Sequence, residues 1–197
     1  MNQVELSPDF APLVFRVSGS PTQSPSRPEV PVINDEVKAA VRALLRHGGH
    51  KPSGRGRPAS ETLLKALIDD RYPQIHPLVD FFNNLSLTTG LPISVLDADQ
   101  LRGEPSFRVG RPEESYLFNP SGQELKLKGL LLVEDSTGPV GTPVKDCQKT
   151  KVSDRSSNFL VVIWGTALLQ DLMSRVESEV TDWASKHNLQ FCQLPRG

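Results

Sequence analysis

The feature that most constrains this chain is a change of rhythm near residue 105. Before it, apolar residues recur three and four positions apart, as on one face of a helix. After it, short β-rich pieces alternate with turn signals. Residues 34–46 predict a first helix: Asn34 is a good N-cap, acids fill the first turn, and Val37, Val41, Leu44 and Leu45 share a face. Gly48 and Gly49 stop it. A second helix is predicted over 61–70, capped by Ser60 and striped by Leu63, Leu64, Leu67 and Ile68. A third, buried helix over 78–89 ends at Gly90 and Pro92. Strands are then expected at 107–109, 116–118, 126–133 and 159–164, with turns at 119–122 and 136–139. A closing amphipathic helix over 167–186 turns Leu168, Leu169, Leu172, Val176, Val180 and Trp183 inward. An apolar run within residues 10–17 suits a strand, and the Pro/Ser-rich stretch 18–33 reads as a loop. Helices first, strands later and a helical close give a single α+β domain over 1–197, with a central mixed or antiparallel sheet and helices packed on it.

Charge narrows the partners. The chain carries 22 Lys+Arg against 23 Asp+Glu, so bulk positive charge does not hold it to a polyanion. The cations are not evenly spread, however. Between Val37 and Ser60 stand Lys38, Arg42, Arg46, Lys51, Arg55 and Arg57, with no acid among them. Gly54 and Gly56 let backbone N–H groups approach a ligand, and Arg55 and Arg57 offer forked donors suited to phosphate. A Walker A loop is excluded, because its Gly-Lys-Ser/Thr ending is missing. A solvated basic surface is the competing explanation.

Other chemistries find less support. The first ten residues carry two acids, no basic side chain and no following apolar core, which is unlike a signal peptide. The longest purely apolar run, 159–164, is far shorter than the roughly 20 residues that span a bilayer. Two cysteines, Cys147 and Cys192, make no disulfide framework and are expected as reduced thiols in the cytoplasm, Cys147 as an ordinary loop thiol. His47 and His50 alone do not make a metal site; His47 is explained by the helix end, and His76 and His187 read as surface or satisfied packing residues. No metal and no cofactor are expected. Asp80, Asn83 and Asn84 share one face of the third helix, and Ser86 follows; buried polar groups of this kind tie down a loop or line a pocket.

The stretch 78–97 holds Val79, Asp80, Asn83, Gly90, Pro92 and Asp97: a Val-Asp-x-x-Asn helix, a Gly-x-Pro turn, and a strand ending in Asp. This pattern resembles the B3/B4 domain, the editing module of the bacterial phenylalanyl-tRNA synthetase β-subunit, and in length the chain resembles free-standing B3/4 proteins. The likeness covers roughly residues 35–165, through Arg108, the strand near Leu125 to Val133, the glycines at 138 and 141, and Pro143-Val-Lys-Asp146. It implies an α+β domain with a pocket for the aminoacyl 3′ end of a tRNA, where water cleaves the ester. It does not transfer tyrosine specificity: Ser94 stands where the editing module carries His, Phe82 where it carries Thr, and Lys145-Asp146-Cys147 where it carries Gly-Gly-Glu.

The resulting expectation is a protein that meets tRNA by its 3′ aminoacyl end, with neither membrane nor DNA as partner, and that deacylates mischarged tRNA. Asp146, Lys145 and Asp80 are the expected catalytic groups, water being oriented by a carboxylate and the oxyanion met by Lys145 or Arg108. Asn83, Ser86, Ser94, Arg108 and Thr142 are expected around the substrate, and Lys51, Arg55 and Arg57 on the RNA. A non-catalytic RNA-binding module and a small-molecule enzyme on the same fold are the alternatives.

Overall fold

A computed structural model describes residues 4–195. Strand β1 (Leu13–Ser18) is followed by the proline-rich segment and then three helices: α1 (Asp35–Arg46), α2 (Ala59–Ile68) and α3 (Pro77–Thr89). Seven strands come next: β2 (Ile93–Asp97), β3 (Ser106–Val109), β4 (Ser115–Leu117), β5 (Glu124–Lys126), β6 (Leu131–Asp135), β7 (Gly138–Gly141) and β8 (Asn158–Ile163). Helix α4 (Gln170–Lys186) and strand β9 (Gln190–Gln193) complete the described chain. The class is α+β, as expected, and every strand pair is antiparallel.

The central sheet has the order β2-β8-β1-β9, so the strand near residue 13 lies between two strands from the far end of the sequence. Its two faces are both covered. Leu13, Phe15, Val17, Phe159, Val161 and Ile163 point into a core shared with α1, α3 and α4. The alternate residues Val14, Leu160, Val162 and Trp164 point into a second core with Leu131, Val133 and Val140. A second sheet, β3-β6-β7, covers that face, and β4 and β5 form a separate hairpin. Burial on both faces explains why β8 reads as an unbroken apolar run.

Several local expectations are corrected. The stretch 126–133 is two strands: β5 stops at Lys126, the chain turns through Gly129 at φ +71°, and β6 starts at Leu131. Gly129 also lies back to back with Gly48, each carbonyl oxygen falling within 2.4 Å of where the other's Cβ would be. Those two glycines therefore weld the end of α1 to the β5–β6 turn. Ser60 does not cap α2; it is buried inside the helix, whose first N–H, from Ala59, donates to Pro143 O at 2.8 Å. Leu168 lies in a short 3-10 turn before α4 and is 64% exposed, not inward.

The Pro/Ser-rich segment is a strap without regular secondary structure, tied down by side chains. Ser20 Oγ meets His76 Nε2 at 3.2 Å, Ser24 Oγ donates to Asp80 Oδ2 at 2.6 Å, and Asn84 Nδ2 donates to Ser26 O at 3.0 Å. All three anchors belong to α3 or to its N-cap, and two of them, His76 and Asp80, are buried.

Candidate functional site

A cleft of about 320 Å³ opens between α2, α3, the edge strand β2 and the loop after β7. Its walls are mostly apolar, with Leu63 from α2, Val79 from α3, Ile93 and Val95 from β2, and Val152 beyond. The polar lining is Thr62, Asn83, Lys145, Asp146 and Lys151. Asn83 follows Val79 by one helical turn, and among the described residues its amide makes no hydrogen bond.

The loop 142–146 is built to present two charged side chains. Thr142, itself buried, accepts the N–H of Lys145 at 3.1 Å and donates to Lys145 O at 2.8 Å, which closes a tight turn. The buried phenol of Tyr116 donates to the same Lys145 carbonyl. With the backbone so pinned, Lys145 extends over the ring of Phe118, its Nζ 3.7 Å from the centroid. Asp146 turns the other way and accepts the hydroxyl of Ser94 on Oδ1 at 2.6 Å.

These positions set the charges. Burial pushes the Asp146 carboxyl up to about 6, against the pull of Lys151 and of hydrogen bonds from Ser94 and the Thr142 backbone. Burial also pushes the Lys145 ammonium down, helped by repulsion from Arg55 and Lys151. Tyr116 is driven well up, first by burial and then by the neighbouring Asp146 charge. Lys145, Lys151 and Arg55 form no ion pair among the described residues, so the cleft mouth carries a local positive field around one carboxylate.

The structure brings together some of the residues singled out from sequence and separates others. Asp146, Lys145 and Asn83 line the cleft. Thr142 and Ser94 stand behind it, each about 1% exposed. Asp80 does not reach it: its Oδ1 accepts the N–H of Ile75 at 2.9 Å and its Oδ2 the Ser24 hydroxyl, so it anchors the strap. Ser86 donates to Leu91 O at 2.7 Å inside the core. Arg108 lies on the second sheet, gripped by both oxygens of Glu114 (2.6 and 2.7 Å) and by Glu134. A substrate role for Arg108 is therefore replaced by a structural one, since its donors are spent on carboxylates.

In the basic loop, His50 Nε2 donates to Gly56 O at 2.7 Å and Arg57 Nε to Gly54 O at 2.8 Å. Arg57 thus helps to shape its own loop, while Arg55 and Lys51 stay exposed. Sequence reasoning missed Lys151 and Thr62, and it placed Phe118 in a strand leading into a turn, without a site role. The signal that could have found Lys151 was the basic Lys149-Thr-Lys151 cluster. A larger groove of about 650 Å³ between α1 and the start of α4 is lined by Glu36, Asp171, Arg175 and Glu179 and includes neither Lys145 nor Asp146.

A family model described as "B3/4 domain" matches residues 48–172, which takes in the whole cleft. The chain belongs to the B3/4 domain family. No curated protein matches this B3/4 chain. Among solved structures, it is similar to an N-terminal fragment of the phenylalanyl-tRNA synthetase β-subunit from Pyrococcus horikoshii: TM-score 0.46 and 12% identity, over 94% of this chain and 50% of that one. It is also similar to the TILS C-terminal domain, with TM-score 0.33 and 13% identity over 38% of this chain and 70% of that one. No helix among the described residues is long and apolar enough to cross a membrane.

Proposed function

We propose that this B3/4 protein associates with tRNA and hydrolyses the ester of a mischarged aminoacyl-tRNA in the Lys145–Asp146 cleft. The observation that carries the reading is Asp146. It is a carboxylate in a mostly apolar cleft, pushed up to about 6, with Lys145 and Lys151 beside it in the lining and Arg55 near enough to Lys145 to repel its charge. A base of that strength is mostly ionised near neutral pH and still strong enough to take a proton from water. Membership of the family supplies the tRNA side of the proposal, and Lys51 and Arg55 supply exposed cations for phosphates.

In this mechanism the aminoacyl side chain lies against Val79, Ile93 and Val95, and Asn83 meets a polar atom of the substrate. Asp146 accepts a proton as water adds to the ester carbonyl. Lys145 or Lys151 stabilises the oxyanion. Collapse breaks the bond to the ribose oxygen, which takes the proton back. Free amino acid and deacylated tRNA leave. None of these steps calls for a cofactor, and a tRNA substrate is met in the cytoplasm.

The test is a panel of mischarged tRNAs incubated with the wild type and with Asp146→Asn. Release above the uncatalysed rate is expected for at least one ester, and the variant is expected to lose about 100-fold or more of it. Release at the background rate throughout the panel would overturn the proposal; tRNA binding without turnover would make the protein a binding module instead.

A further inference from the structure

Asp146 is held by more than its own loop. Trp164, the residue after β8, is fully buried, with Phe10 stacked near its indole and Phe107 edge-on to it. Its Nε1–H donates to Ser94 Oγ at 2.9 Å, and Ser94 donates its proton to Asp146 Oδ1 at 2.6 Å. The direction is fixed by chemistry. An indole N–H can only donate, so Ser94 Oγ accepts there, and its single proton is free for the carboxylate. The other acceptor within reach, Thr142 O, is at 3.4 Å. Ser94 sits in β2 opposite Val162 of β8, so the chain of bonds is rooted in the central sheet. Gly141 closes the other side of Oδ1: a Cβ there would lie 2.9 Å from it. Oδ1 is thus occupied by Ser94 and backed by Gly141, and no side chain among the described residues donates to Oδ2.

We infer that Trp164 and Ser94 are a positioning relay for Asp146, fixing which carboxylate oxygen faces the substrate's water. The inference rests on the hydrolase reading above. It gives Ser94 a role without substrate contact, and it enlists an indole buried in the second core. The relay donates to the ionised carboxylate and so favours it, opposing burial. Other groups face Asp146 as well. Lys151 and Lys145 lie on the cleft side with Arg55 beyond, the Thr142 backbone donates from the same loop, and the Tyr116 phenol and Cys147 thiol lie behind. The relay has to be read against that background, which Ser94 variants leave in place.

The experiment is a carbon-detected NMR titration of the Asp146 carboxyl in the free protein, paired with the pH profile of deacylation. Ser94→Ala is expected to raise the Asp146 midpoint by about one unit, and Trp164→Phe by less, because a hydrogen bond to the ionised form is removed or weakened. The acid limb of the pH profile should move by the same amount. Ser86→Ala, which removes a buried hydroxyl elsewhere, should move neither. Should Ser94→Ala fail to fold, Ser94→Cys keeps the volume with a much weaker donor and reads the same shift. An unchanged midpoint in a folded Ser94 variant overturns the relay. A wild type that deacylates nothing overturns the hydrolase reading, while the titration still decides the relay.

Discussion

Burial and nearby cations pull the charge of Asp146 in opposite directions, and burial prevails. A carboxyl raised to about 6 binds protons in the folded state that the unfolded chain has already released. Stability therefore falls as pH rises between roughly 4 and 6, the interval between the ordinary carboxylate value and the folded one. Asp146→Asn removes that cost, so it is expected to melt a few degrees higher than the wild type at pH 8 while losing turnover; a melting scan checks the first half. Turnover in the wild type should decline as pH is lowered through about 6, the point at which the base becomes protonated. At this scale the sequence reveals polarity but not partners. Asn83 could be chosen because a polar side chain on a buried helix needs a reason, whereas Asp146 and Lys145 come from the family resemblance of residues 143–146. Asp80 and Ser86 share that helix and Arg108 shares the resemblance, yet Ser24, the Leu91 carbonyl and two glutamates already engage them. The Ser94–Asp146 bond joins residues far apart in the chain, and no spacing rule foretells it.

Among the elements, the second sheet and the strap each depend on a buried polar anchor. Arg108 on β3 ties β6 and the following turn together through Glu134 and Glu114, and its guanidinium is held more firmly charged than usual by them. Arg108→Met leaves Glu134 without its ion-pair partner and Glu114 with only the Arg111 N–H, and is expected to cost about 3 kcal/mol in denaturant unfolding, with deacylation intact below the melting point. His76 caps α3: its Nδ1 accepts the N–H of Leu78 at 3.2 Å, which requires a neutral ring, and burial lowers its pKa. The unfolded chain takes up a proton near pH 6.5, but the folded ring resists it. The contribution is therefore present in full above about pH 6.5 and fades as pH falls below it. His76→Asn, which keeps a capping acceptor, should flatten that part of the stability curve. Periodicity was enough to find α1, α3, α4 and β8, whose patterns are long or continuous. It could not find β9, whose residues Gln190, Cys192 and Gln193 are exposed and whose place depends on a distant β1. Nor could it split β5 from β6, since Leu127 and Leu130 in the turn are as buried as strand residues.

At the scale of the whole molecule, a net charge of -1 conceals a cleft lined by Lys145 and Lys151, with Arg55 near enough to Lys145 to repel it. A local cation cluster on a neutral body should bind tRNA in a strongly salt-dependent way. Replacing Arg55 and Lys151 together with Ala should weaken binding at low salt. It should also flatten the slope of log affinity against log salt by roughly 1.4, at about 0.7 for each single-stranded phosphate no longer neutralised. An unchanged slope would put the RNA elsewhere. The strand order has a further consequence, one of timing. Leu13 pairs with Ile163, and β1 is flanked on its other side by β9, so both neighbours of the first strand are made last. During synthesis, β1 stays an unpaired apolar edge until nearly the whole domain has left the ribosome. Folding of this protein is thus expected to be late and slow, with the nascent chain relying on chaperones more than its modest size suggests.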